Sequence, residues 1–168
     1  MCPTNHLASV SRTPLHEGAA SSLVLRQGHF LIVDDISSMR RVIGSLLKDQ
    51  LREVRISEAA DGRSALQVIK SAETDGVPID FVITDWNMPH MDGITLLRAI
   101  RELPLQRRLP VLLVTAQATR EMILAAAYAG VDAYIVKPFN ADTLKTKLDQ
   151  IIAKYGRMLH GTPQLQVS

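Results

Sequence analysis

Five short apolar runs recur along the chain, and each is followed by a stretch with the periodicity of an amphipathic helix. "HFLIV" at 29–33 comes first, and Ile36, Met39, Ile43, Leu46 and Leu47 then recur at three- and four-residue steps. "VRISEA" at 54–59 is a weaker strand, followed by a helix from Asp61 through "DGRSALQVIKSA". "DFVIT" at 80–84 precedes a loop with Pro89 and Gly93, then a helix over 94–101. "LPVLLVTA" at 109–116 is the most apolar strand. Thr119 can cap the helix behind it through its hydroxyl, and Gly130 can end that helix in the left-handed conformation. "DAYIV" at 132–136 is the fifth strand. Asn140 then caps a helix with Leu144, Leu148, Ile151, Ile152 and Tyr155 on one face. Runs that are apolar throughout, separated by helices, call for a parallel sheet covered on both faces. Right-handed crossovers then predict an α/β, doubly wound three-layer sandwich with a parallel five-stranded sheet. In such a sheet a ligand site lies at the carboxyl ends of the strands, where the strand order switches.

The chain has 168 residues, which suits one domain with tails. Residues 1–27 are rich in Ser, Ala, Pro and Thr without periodicity and read as a flexible N-terminal extension. Residues 28–156 form the folded domain, and 157–168 a short C-terminal tail. Lys+Arg 19 against Asp+Glu 17 leaves a net charge of +2, too balanced to point to nucleic acid or an anionic membrane. No apolar stretch approaches the roughly 18–20 residues of a membrane span. The first residues lack the basic and apolar regions of a secretory signal. Cys2 is the single cysteine and excludes an intrachain disulfide, so a cytoplasmic setting is expected. A monomer is the expected state.

Chemistry gathers just past the strands. Asp34 and Asp35 follow the first, Asp85 the third, Thr115 the fourth, and Lys137 with Pro138 the fifth. In a parallel sheet these ends share one edge, so three carboxylates, a hydroxyl and an ammonium are expected to converge. Oxygen ligands without His or Cys suit a hard cation, Mg²⁺ or Mn²⁺, in front of an Asp pair that would otherwise repel itself. A nucleotide or flavin site is disfavoured, because no glycine-rich loop follows the first strand and the Asp pair would repel phosphate. A phosphatase with an aspartate nucleophile would carry D-x-D. The stretch here is "DWN", and Asn87 cannot transfer a proton. What remains is an aspartate that takes a phosphoryl group and holds it, a switch rather than a turnover enzyme. Asp85 can attack, the metal can bridge Asp85 and the phosphoryl, Lys137 can cover a second oxygen, and Thr115 can donate to a third.

Each residue alone also admits a plainer role: a loop carboxylate, a solvated lysine, a strand-end hydroxyl. Only their order carries weight. Arg40 and Arg41 read as a solvated helix face. Met88, Met91 and Met122 read as gap-filling residues, and Trp86 as a fluorescent neighbour of Asp85.

The motifs "VDD", "TDWNMPHMDG", "VTA" and "YIVKPF", at these spacings, resemble the receiver domain of two-component response regulators over residues 28–156. The finer wording, "SSMRR" and "ILAAAYAGVDAYIVKPF", is similar to the single-domain chemotaxis members. The resemblance implies a flavodoxin-like (βα)5 fold and Asp85 as phosphoacceptor. It implies metal ligation by Asp34, Asp35, Asp85 and the Asn87 carbonyl, with Asp34 acting through water. Thr115 and Lys137 would contact the phosphoryl group, and Thr115 and Tyr134 would act as the switch. Asn87 and Gln117 would flank the phosphoryl. A histidine kinase would be the donor, and the flagellar motor switch or another protein effector the target, docking on the fourth helix, fifth strand and fifth helix. The extension 1–27 departs from the pattern, as does Gln117, which stands where the best-known chemotaxis members carry an acidic residue. The 12 residues after Gly156 leave no room for an output domain, so the signal is expected to leave by protein–protein contact. Two rival readings are a phosphate shuttle or regulator of another effector enzyme, and a phosphorylation-independent adaptor.

Overall fold

Residues 30–33, 81–85 and 111–115 are buried without alternation, because their strands lie inside a sheet covered on both faces. The computed structural model describes residues 27–155 other than Leu105 and Arg107. Ten elements alternate along it: β1 (Gln27–Val33), α1 (Ser37–Gln50), β2 (Glu53–Ala59), α2 (Gly62–Thr74), β3 (Phe81–Asp85), α3 (Gly93–Glu102), β4 (Val111–Thr115), α4 (Arg120–Ala129), β5 (Ala133–Val136) and α5 (Ala141–Tyr155). The five strands are parallel, in the order β2-β1-β3-β4-β5. The fold is the doubly wound (βα)5 sandwich that the hydrophobic pattern requires. The expected extension 1–27, apart from Gln27, lies outside the described residues. So do Gly156 and the expected tail 157–168.

Successive side chains of a strand point to opposite faces, so β1 feeds two cores. Leu31 and Val33 pack with Val82, Leu113 and the inner faces of α2 and α3, including Ile69, Leu97 and Ile100. Phe30 and Ile32 pack with Phe81, Ile83 and the inner faces of α1 and α5, including Ile43, Leu47, Leu148 and Ile152. The Phe30 and Phe81 rings stack with centroids 5.4 Å apart, worth about 0.5–1.5 kcal/mol beyond the area they bury. The weak apolar signal of β2 follows from its place at the sheet edge, where its side chains are largely exposed or half-buried.

Strand limits depart from the apolar runs for local reasons. β4 begins at Val111 rather than 109, since Pro110 has no N–H for the ladder; its carbonyl still accepts from Val82 N–H. β5 begins at Ala133 because the Asp132 carboxylate turns back to accept the Val111 N–H at 2.8 Å. The helix signals read from sequence hold. Thr119 accepts from Met122 N–H, Asn140 accepts from Thr143 N–H, and Gly130 closes α4 with φ of 82°. Asp61 and Ser64 form a reciprocal capping box at the start of α2.

Two glycines set how closely elements approach. A Cβ on Gly93 would sit 2.2 Å from the Asp85 carbonyl oxygen, so only glycine lets α3 start against the end of β3. A Cβ on Gly44 would meet Ile56 at 3.5 Å, an ordinary contact. Gly93→Ala is therefore expected to cost about 1–3 kcal/mol by overpacking. Gly44→Ala should be neutral or gain up to about 1 kcal/mol of helix propensity. Equal urea midpoints for the two variants would mean that α3 does not press on the Asp85 backbone.

The Asp61 carboxyl is held below its ordinary value, chiefly by the Ser64 amide that it accepts. A lowered folded-state value stabilises above the unfolded carboxyl pKa, and that gain is lost as pH falls through the lowered value. Asp61→Ala should lose about 1 kcal/mol at neutral pH. Its deficit in thermal midpoint should close in acid. A deficit that persists unchanged in acid would rule out the charged cap as its source.

Candidate functional site

The register of the central strands carries five polar residues to one edge. β1 and β3 pair side by side, with Val33 opposite Thr84, so Asp34 and Asp85 emerge together. The ladder continues past the strand ends through Trp86 N–H to Val114 O at 2.8 Å and Lys137 N–H to Thr115 O at 2.8 Å. Lys137 Nζ donates to Asp85 Oδ1 at 2.6 Å and to Asp34 Oδ2 at 3.1 Å. One ammonium thus bridges two carboxylates that are 1% and 7% exposed.

The second oxygen of each acid is held by main chain two residues on. Ile36 N–H donates to Asp34 Oδ1 at 2.8 Å, and Asn87 N–H donates to Asp85 Oδ2 at 2.8 Å. Burial pushes the Asp85 carboxyl above its ordinary value, and the Asp34 charge adds to that against the pull of Lys137. Burial alone would lower the Lys137 ammonium, but the hydrogen bonds it donates to Asp85 and Asp34 outweigh that and hold it raised. The lysine is therefore charged, and shared between two acids it cannot fully neutralise.

The other expected residues stand around this core. Thr115 is buried, but its hydroxyl faces its own loop: it donates to Gln117 O at 2.6 Å and accepts from Gln117 N–H at 3.2 Å. Tyr134 is half-buried on β5 against the α2–α3 side core. Asn87 and Gln117 are exposed, and Trp86, Met88 and Met91 pack partly against that same core. Asp35 is exposed and forms no hydrogen bond or ion pair among the described residues.

Asp34 and Asp85 thus meet at Lys137, and Asp35 stands exposed at the rim beside them. Among the described residues no three His, Cys, Asp or Glu side chains are grouped to hold a metal. Two carboxylates with free lone pairs still meet the usual requirement of Mg²⁺, which takes one or two and fills its shell with water and phosphate or carbonyl oxygens. The donor set is all oxygen, and the residues fit such an ion.

Arg40 corrects an expectation. It is no solvated face: its side chain is 17% exposed and donates to the Asp34 carbonyl at 2.7 Å and to Glu58 at 2.7 Å. The signal was present in the spacing, since 40 stands three before Ile43 and seven before Leu47, both buried on the inward stripe. Gly62 was also passed over. Its N–H donates to Met91 O at 3.1 Å, and a Cβ there would strike Met91, so it ties α2 to the loop that carries Asn87.

Residues 30–149 match the model of the response regulator receiver domain family. Chemotaxis protein CheY-3 of Vibrio cholerae is 52% identical over 124 residues, covering 74% of this chain and 91% of that protein. Chemotaxis protein CheY of Pseudomonas aeruginosa is 50% identical over 124 residues, covering 74% and 95%. The solved structure of chemotaxis protein CheY4 of Vibrio cholerae superposes with a TM-score of 0.67 at 31% identity, covering 74% of this chain and 98% of that one. With this sheet, this bridged acid pair and these relatives, the chain belongs to the response regulator receiver family, a two-component phosphorelay receiver of the chemotaxis type.

Proposed function

We propose that this receiver takes a phosphoryl group from a histidine kinase onto Asp85, in a Mg²⁺-dependent reaction, and thereby changes which protein it docks on. The supporting observation is Lys137 bridging Asp34 and Asp85 at the sheet edge. An Asp85 oxygen attacks phosphorus. The new acyl-phosphate bond forms as the donor's P–N bond breaks, and the imidazole leaves with that electron pair. No general base is needed, because a carboxylate attacks as the anion. A bound Mg²⁺ or Mn²⁺ would supply neutralising charge beside the phosphoryl oxygens, held by Asp34, Asp35, Asp85 and the Asn87 carbonyl. Lys137 already touches Asp85 and serves as a second positive contact. Asn87 and Gln117 flank the group at the mouth of the site.

The switch runs through Thr115. Its hydroxyl is engaged with Gln117 and must turn away from that carbonyl to donate to a phosphoryl oxygen. That turn frees space beside β5 for Tyr134 to move inward. Phosphorylation then shifts an existing equilibrium of a few kcal/mol rather than building a new fold. Docking is assigned to α4, β5 and α5, where Leu124, Tyr128 and Val136 are 47%, 90% and 42% exposed. The effector is the flagellar motor switch. The setting is cytoplasmic and the protein acts as a monomer. Among the described residues no helix is long and apolar enough to cross a membrane.

Acetyl phosphate with Mg²⁺ is expected to add one phosphoryl group, located on Asp85 by mass spectrometry, and chelation of the metal should abolish it. Asp85→Asn should stay unlabelled and fold at least as stably at neutral pH, since Lys137 keeps Asp34 as its partner. A label on Asp85→Asn would mean another acceptor. A wild type that takes no label would favour the adaptor reading.

Beryllofluoride should strengthen binding to purified flagellar motor-switch protein, and Tyr128→Ala should remove that gain without slowing labelling of Asp85. Equal binding with and without beryllofluoride would move the receiver to another effector or to a phosphate shuttle.

A further inference from the structure

α1 starts without the side-chain cap that its neighbours have. Asp61, Asp92, Thr119 and Asn140 each accept an amide at the start of their helices, but the N-cap of α1 is Ile36, which offers none. The turn 34–36 lies between β1 and this bare terminus and carries Asp34 and Asp35. Its main chain is tied at Asp34, whose N–H donates to Ala59 O at 3.2 Å and whose carbonyl accepts from Arg40 Nη1 at 2.7 Å.

The same guanidinium donates from Nε to Glu58 Oε2 at 2.7 Å. Its planar fork therefore serves two acceptors at once, the turn on one side and β2 on the other. The carbonyl it holds belongs to the peptide plane between Asp34 and Asp35, so it sets where Asp35 leaves the chain. Glu58 offsets the guanidinium charge, and the acid site keeps its attraction for a cation. The Arg40 side chain is 17% exposed against 43% for Glu58, which places the arginine as the inner member of the pair.

We propose that Arg40, backed by Glu58, is a positioning residue for the metal end of the site: it sets the turn 34–36 so that Asp34 and Asp35 face a divalent cation together. This rests on the receiver reading above. The demand is for geometry, so charge alone does not meet it. Lysine carries a single donor nitrogen on a flexible stem and lacks the rigid fork that sets Nη1 on Asp34 O and Nε on Glu58.

The test compares wild type, Arg40→Lys and Arg40→Gln in three measurements: Trp86 fluorescence on titration with Mg²⁺ alone, amide hydrogen exchange at Asp35 and Ile36 without metal, and thermal midpoint. Both variants are expected to bind Mg²⁺ about tenfold more weakly, the usual effect of removing a group that orients metal ligands. Both should also exchange Asp35 and Ile36 amides several-fold faster, with midpoints within a few degrees of wild type. Wild-type Mg²⁺ affinity in Arg40→Lys would overturn the proposal, because charge would then suffice. A lowered midpoint with unchanged Mg²⁺ affinity would overturn it in favour of a purely structural role. Both of those results leave the receiver reading standing, whereas a wild type that shows no response to Mg²⁺ overturns the two together.

Discussion

Two buried carboxylates sharing one ammonium are the constraint around which the rest is arranged. Removing either acid from water costs several kcal/mol, and placing them together adds repulsion. The ion pair from Lys137 and the amides of Ile36 and Asn87 offset that cost without cancelling it. The residual shows in Asp85, whose carboxyl is pushed up by burial. A site left short of positive charge is prepared to receive more.

Such a cluster needs a rigid frame. β1 and β3 are buried on both faces, so the strands that deliver Asp34 and Asp85 cannot slip without moving whole rows of core residues. The far end of the sheet is anchored by another buried acid, Asp132. It accepts from Arg101, Lys154, Tyr155 and the Val111 amide, joining α3, β4 and α5. That second acid is saturated with donors and structural; the acids at the carboxyl edge keep lone pairs to spare. Burial is common to both ends, and the supply of donors separates their roles.

The fold was legible because the chain's apolar runs are short and unalternating and its helical stripes are long. Strand limits were less so, since Pro110 and Asp132 act through backbone donors that hydropathy does not register. In the site, the membership of Asp34, Asp85 and Lys137 could be read from their place after each strand. The exposure of Asp35 could not, because it lies past the end of β1 in a turn whose path is set by tertiary contacts such as Arg40 on the Asp34 carbonyl. Arg40 was misread for a related reason: its charge suggested solvent, while its spacing pointed inward and the Asp34 carbonyl and Glu58 gave the charge partners there. Gly93 showed only as a loop residue, since the closeness of the Asp85 backbone is a property of packing.

The order of residues along this chain by itself determined the layer architecture, the edge of the sheet where chemistry gathers, and the chemical class of that site. Periodicity and the parallel crossover rule are local in sequence and leave few topologies to choose from. Tertiary structure alone decided which acid the lysine touches, which stands at the rim, where the Thr115 hydroxyl rests and which arginine turns inward. Those outcomes depend on distances of an ångström or less between segments 18 to 103 residues apart. Desolvation and hydrogen-bond geometry vary steeply over such distances, and no pattern within a single segment encodes them.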